Sequence, residues 1–141
     1  MPTPPPSRSD LTPLLTAARE ARFAAHAPYS GFHVGAAILT EEGHIVTGCN
    51  VENASYGLTI CAERTAMVRT VAEGLGAPIA IAIASDSHLP TPPCGACRQF
   101  LAEFNPAMRV LYAGAEGEGI ETTVDALLPG MFDAKQLPPS K

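Results

Sequence analysis

Four cysteines, Cys49, Cys61, Cys94 and Cys97, carry the first chemical signal in this sequence. In a reducing compartment such residues serve metal binding or catalysis rather than disulfides. Cys94-Gly95-Ala96-Cys97 sets two sulfurs three residues apart at the opening of a predicted helix, on one side of its first turn. Cys61 opens a second predicted helix in the same way. If both helix starts lie at one end of a sheet, three thiolates converge. Three protein ligands leave a tetrahedral zinc with one open position for water, the arrangement of a catalytic site. Glu63, two residues after Cys61, can reach past the helix end from the first turn. A carboxylate beside a metal-activated water suits general acid and base work. Zinc with three thiolates is formally negative, and two helix N-termini together with Arg64 are at hand to offset that charge.

All four cysteines could instead form a closed structural site. Strand alternation sets Cys49 on the face opposite Asn50 and Glu52, where a small residue packed in the core is expected. A structural site, of three thiolates or four, leaves Glu63 unexplained. Two functional classes therefore stand side by side, a zinc hydrolase and a zinc-stapled binding module without turnover.

The elements that would position these groups can be read from periodicity and punctuation. Asp10 can cap a helix whose apolar positions run to Ala25 and which ends before Ala27-Pro28. Residues 34–39 and 45–51 flank a Glu42-Gly43 turn and predict a hairpin. A second helix is expected over 60–73, stopped by Gly74 and Gly76. The nearly unbroken apolar run 79–85 predicts a strand covered on both faces, the sheet centre. Residues 95–104 read as a helix, 109–113 and 120–123 as strands, and 124–128 as a short last helix. The expected fold class is α/β, a three-layer α/β/α sandwich around a mixed five-stranded sheet. Its catalytic domain is expected over residues 10–135, between a disordered, proline-rich tail at 1–9 and a solvated tail at 136–141.

Composition narrows the partners. With 141 residues, 46% of them hydrophobic, the chain suits one compact, well-cored domain. Nine Lys plus Arg against fourteen Asp plus Glu give a net charge of -5, the wrong sign for tracking nucleic acid or an anionic membrane. The absence of a long apolar run, and an opening MPTPPPSRSD with neither a basic nor an apolar stretch, predict a cytoplasmic protein. His26, His44 and His88 lack ligand spacing and are expected at the surface. Arg98 reads as an ion-pair or interface residue. The apolar segment Leu127-Leu128-Pro129-Gly130-Met131-Phe132 is more than a small domain has reason to leave exposed, and it predicts a homo-oligomer.

Cys61-Ala62-Glu63 and Pro93-Cys94-Gly95-Ala96-Cys97 resemble the signature of the cytidine deaminase family. The resemblance extends, in order, through Ala27-Pro28-Tyr29-Ser30, Phe32, Val34-Gly35-Ala36-Ala37, the 48–54 segment Gly-Cys-Asn-Val-Glu-Asn-Ala, Arg98-Gln99 and Leu127-Leu128-Pro129. Cysteine rather than histidine at position 61 singles out the free-nucleoside branch. His33, at a variable position, and the proline-rich start depart from the pattern without touching the chemistry. The resemblance implies hydrolysis of cytidine or deoxycytidine to uridine or deoxyuridine plus ammonia, as in pyrimidine salvage. It implies one Zn2+ per subunit on Cys61, Cys94 and Cys97, and Glu63 as the proton shuttle between the attacking water, N3 and the departing amine. Asn50 and Glu52 match a ribose-binding pair, and their expected place two apart on one strand agrees with a shared face. Phe32 matches an aromatic wall beside the pyrimidine, the Ala62 backbone a contact to the base, and Arg64 a cation bonded to the ligand sulfurs. Tyr56 lies near the expected site, to line it or merely to pack. The family also implies a homotetramer in which Phe132 closes the pocket of a neighbouring subunit. A narrower alternative within the same branch is a deaminase of a nucleoside antibiotic such as blasticidin S.

Overall fold

A computed structural model describes residues 11–139. The expected cap Asp10, the expected tail at 1–9 and the last two residues lie outside the described residues.

The order of elements is α1 (Thr12–Ala21), β1 (Val34–Thr40), β2 (Ile45–Cys49), α2 (Ala62–Ala72), β3 (Pro78–Ser85), α3 (Gly95–Phe104), β4 (Arg109–Ala113), β5 (Ile120–Thr123) and α4 (Val124–Leu127). The five strands form one sheet in the order β2-β1-β3-β4-β5. Among the described residues only strands β3 and β4 run parallel, and the remaining strand pairs are antiparallel. The sheet is therefore mixed, with the apolar run at its centre.

Alternation along β3 divides the core into two layers. Ala80, Ala82 and Ala84 pack with Leu11, Leu14, Leu15 and Ala18 from the α1 side. Ile81 and Ile83 pack with Ala62, Ala66 and Met67 of α2 and Leu101 and Ala102 of α3. Helices thus cover both faces, as the three-layer expectation holds. The α1 side is unusually tight: a Cβ built on Gly35 would stand 1.9 Å from the Ala18 carbonyl oxygen.

Several boundaries differ from the sequence reading. The first helix leaves α geometry at Ala21 and finishes as a 3-10 turn over Arg22–Ala24. The second helix begins at Ala62 rather than at residue 60, because Ile60 is engaged in an antiparallel bridge with Val51. Strand β2 ends at Cys49 rather than at residue 51. Past the expected end of the catalytic domain, Gln136 belongs to a 3-10 turn that Asp133 caps.

Candidate active site

Cys61 and Cys94 occupy the N-cap positions of α2 and α3, yet neither sulfur caps its helix. Both side chains are therefore available away from the helix ends, each at the positive end of a helix dipole. Cys97, one turn into α3, is fully buried. The three sulfurs lie within 4.8 Å of one another, and those of Cys61 and Cys94 are 3.8 Å apart. Tetrahedral zinc with Zn–S near 2.3 Å requires ligand sulfurs separated by about 3.8 Å. The donor set and its spacing fit that ion. Cys49, half-buried on β2, is not part of the cluster and is less enclosed than the core position expected of it.

The sulfurs share protons and a cation. A hydrogen bond from Cys97 is the largest influence drawing the Cys61 thiol down to about 5, with Arg64 assisting. The same bond, with burial, pushes the Cys97 thiol far up, so Cys61 is the thiolate of the pair. Arg64 places Nη2 3.6 Å from the Cys61 sulfur and has its own ionisation raised, chiefly by that contact. Its buried Nε has no hydrogen-bond partner among the described residues. Arg64 thus stands beside the Cys61 thiolate, placed to offset the excess negative charge that three thiolates would carry on a divalent metal.

Glu63 is 4% exposed. Burial is the main force raising its carboxyl to about 7, and the Cys61 charge adds to it. A carboxyl so placed can both accept and release a proton near neutrality. It lines a cavity of about 260 Å3 together with Cys61, Cys94, Ala62, Asn50 and Phe32. Thr59, Thr91 and Pro92 line the same cavity and were not singled out by the sequence. Only their positions, just before Cys61 and Cys94, could have signalled them.

Asn50 and Glu52 do not share a strand face. Asn50, just past β2, is buried and spends its amide on backbone, accepting from Val34 N–H at 2.8 Å and donating to the Phe32 carbonyl at 2.8 Å. Glu52 accepts from the Tyr29 and Ser30 amides at 3.0 and 3.1 Å and from the Ser30 hydroxyl. The Ser30 hydroxyl is the largest influence holding its carboxyl below the usual value. Glu52, Tyr29 and Tyr56 line a second, adjacent depression, and Thr59 borders both. Tyr56 is 75% exposed, with its ring edge-on to Tyr29 at 5.9 Å. Phe132 is 58% exposed and is not among the residues lining the metal-side cavity of its own chain. Arg98 forms no ion pair among the described residues, but donates to the carbonyls of Pro93 at 2.8 Å and Leu127 at 3.0 Å. His26, His44 and His88 are exposed, as expected.

The family model described as the cytidine and deoxycytidylate deaminase zinc-binding region matches residues 8–113, most of the chain. The chain belongs to this deaminase family. A cytidine deaminase of Halalkalibacterium halodurans is 49% identical over 129 residues, covering 91% of this chain and 98% of that protein. The crystal structure of a cytidine deaminase from Burkholderia pseudomallei superposes with a TM-score of 0.82 at 46% identity, covering 85% of this chain and 97% of that one. A blasticidin-S deaminase of Bacillus cereus is more distant, at 30% identity over 105 residues, covering 69% of this chain and 74% of that protein. Within the deaminase family, the sulfur cluster described above corresponds to the zinc-binding region, and the chain is a zinc-binding protein. Among the described residues no helix is long and apolar enough to cross a membrane.

Proposed function

We propose that this deaminase hydrolyses cytidine and deoxycytidine to uridine and deoxyuridine with release of ammonia, in the cytoplasm and in the service of pyrimidine salvage. The observation that carries the reading is Glu63, a buried carboxyl poised at about 7, in the wall of the cavity that also holds the Cys61 and Cys94 sulfurs. Zinc held by Cys61, Cys94 and Cys97 supplies, when bound, a Lewis acid that activates water at its open position. Glu63 takes the proton released as the water oxygen adds to C4 and delivers it to N3. It then carries the second hydroxyl proton to the exocyclic amine, the C4–N bond breaks, and ammonia leaves with the C4 carbonyl formed. The carboxylate ends as it began.

Substrate placement follows from the cavity walls. Phe32 offers a ring beside the pyrimidine, and the Ala62 backbone a hydrogen-bonding contact to the base. Asn50 and Glu52 are the ribose partners, Glu52 reaching from the adjacent depression past Thr59. Tyr56 borders that depression. Phe132 serves a neighbouring subunit of a homotetramer, a role supported by its exposure and by its absence from the lining of its own chain's cavity. A partner ring over the opening would also exclude water and strengthen the electrostatics around the metal.

The deciding experiment mixes purified zinc-loaded protein with cytidine and follows ammonia release or the ultraviolet change on forming uridine. Stoichiometric ammonia supports the proposal. Turnover of blasticidin S but not of cytidine would move the substrate elsewhere in the family, and turnover of neither would leave a zinc-stapled binding module.

A further inference from the structure

Phe32 belongs to no helix or strand; residues 31–33 form the irregular entry to β1. Its side chain is 39% exposed, so packing alone does not fix the ring. Backbone hydrogen bonds must do so, and they come from two sides. On the first, the Ser30 hydroxyl accepts from Phe32 N–H at 3.0 Å, while the Asn50 amide grips the Phe32 carbonyl and the Val34 N–H. On the second stands Asp86, immediately beyond β3. Its Oδ2 accepts from His33 N–H at 2.9 Å and lies 2.7 Å from His33 Nδ1. Its own N–H donates to the His33 carbonyl at 3.2 Å. Arg22 donates from Nε to Asp86 Oδ1 at 3.2 Å. Asp86 thus holds both backbone polar groups of the residue that follows Phe32.

We propose that Asp86 is a positioning residue for the nucleoside cavity, acting through the His33 peptide to fix how the Phe32 ring meets the base. The proposal rests on the reading of this cavity as the nucleoside site. Asp86 is not among the residues lining the cavity. Burial opposes its charge, but the His33 amide and ring and the Arg22 guanidinium together hold its carboxyl below the ordinary value. It is therefore an anion at neutral pH, able to accept all three bonds. Arg22 in turn donates from Nη1 to the Arg19 carbonyl at 3.0 Å, tying the clasp to α1. The clasp joins α1, the end of the central strand and the aromatic wall, and a loose wall would be felt in binding before it is felt in proton transfer.

The test is a double-mutant cycle in cytidine turnover with the full, zinc-loaded chain. Asp86→Ala is expected to raise KM about tenfold, the equivalent of one charge-assisted hydrogen bond, with kcat changed less than about threefold. Zinc content should be unchanged. Asp86→Asn, which keeps an oxygen for the His33 amide, should raise KM only about two- to threefold. In a Phe32→Ala background, which itself raises KM, neither substitution should raise it further, because coupled residues are not additive. If the alanine variant does not fold, the asparagine variant carries the same cycle. An unchanged KM in both Asp86 variants, equal losses in KM and kcat, or full multiplication of effects in the double variant overturns the proposal while leaving the nucleoside reading intact. An unchanged KM in Phe32→Ala overturns the aromatic wall itself, and the proposal with it.

Discussion

Gly48 of β2 faces Ala66 of α2 so closely that a Cβ built on the glycine would stand 2.4 Å from the Ala66 amide nitrogen and 2.7 Å from the Ala62 carbonyl oxygen. Strand and helix meet there through backbone, on the helix that follows Cys61 and bears Glu63. Any side chain at position 48 must push this helix off the sheet. Gly48→Ala is expected to cost about 1–3 kcal/mol, as overpacking does, read as a lower denaturation midpoint accompanied by faster zinc loss to a chelator. Unchanged stability would mean that the helix is not seated by this contact.

Glu63→Gln preserves shape but cannot accept a proton. Fold and zinc content should be retained while cytidine turnover falls by about a hundredfold to ten-thousandfold or more. Near-normal turnover would remove Glu63 from the mechanism.

The cluster geometry assigns zinc to three cysteines. Metal analysis should find about one zinc per chain in the parent and in Cys49→Ser, and large losses in Cys61→Ser, Cys94→Ser and Cys97→Ser. A folded Cys49→Ser protein without zinc would restore the four-thiolate site.

The Glu52 carboxyl is held below its ordinary 4.5, first by the Ser30 hydroxyl. A lowered native pKa means that the unfolded chain binds the proton more readily, so the contribution to stability is complete above about 4.5 and fades as pH falls through the native value. A carboxyl-carbon NMR titration should place Glu52 below 4.5, and Ser30→Ala should move it upward. No movement would show that the hydroxyl is not the partner that matters.

Phe32 and Glu63 would act within one chain, but Phe132 would act in its neighbour. Phe132→Ala chains keep an intact pocket and lack the ring; Glu63→Gln chains are catalytically dead and can donate it. Mixed oligomers should show higher activity per Phe132→Ala site than unmixed ones. No rise in verified hybrids, or an active monomer in sedimentation, refutes the shared site.

Elements with strong periodicity were legible because local pattern and tertiary packing agree in them. The central strand, with Ile81 and Ile83 on one face and alanines on the other, and α3 behind Cys94 are examples. The three sulfurs and Glu63 were legible because metal chemistry constrains both residue type and spacing. The shared face expected of Asn50 and Glu52 fails because strand alternation stops at Cys49, where the Val51–Ile60 bridge and the demands of the Phe32 and Val34 backbone take over. Asp86 gave no sequence signal: its partners Arg22 and His33 lie 64 and 53 residues away. Such contacts exist only once β1 and β3 are paired.

The unequal faces of β3 give the two halves of the core opposite responses to side-chain volume. On the α1 side, with alanines in the strand and near-contact between Gly35 and Ala18, added methylenes have nowhere to go and cost about 1–3 kcal/mol. Beneath α2 and α3, Ile81 and Ile83 can be trimmed to valine at about 0.5–1.5 kcal/mol each. Both helix layers are thus pinned to the sheet at a glycine, α1 at Gly35 and α2 at Gly48, so room for a resized substrate lies in the volume of Ile81 and Ile83 rather than in a shift of either layer.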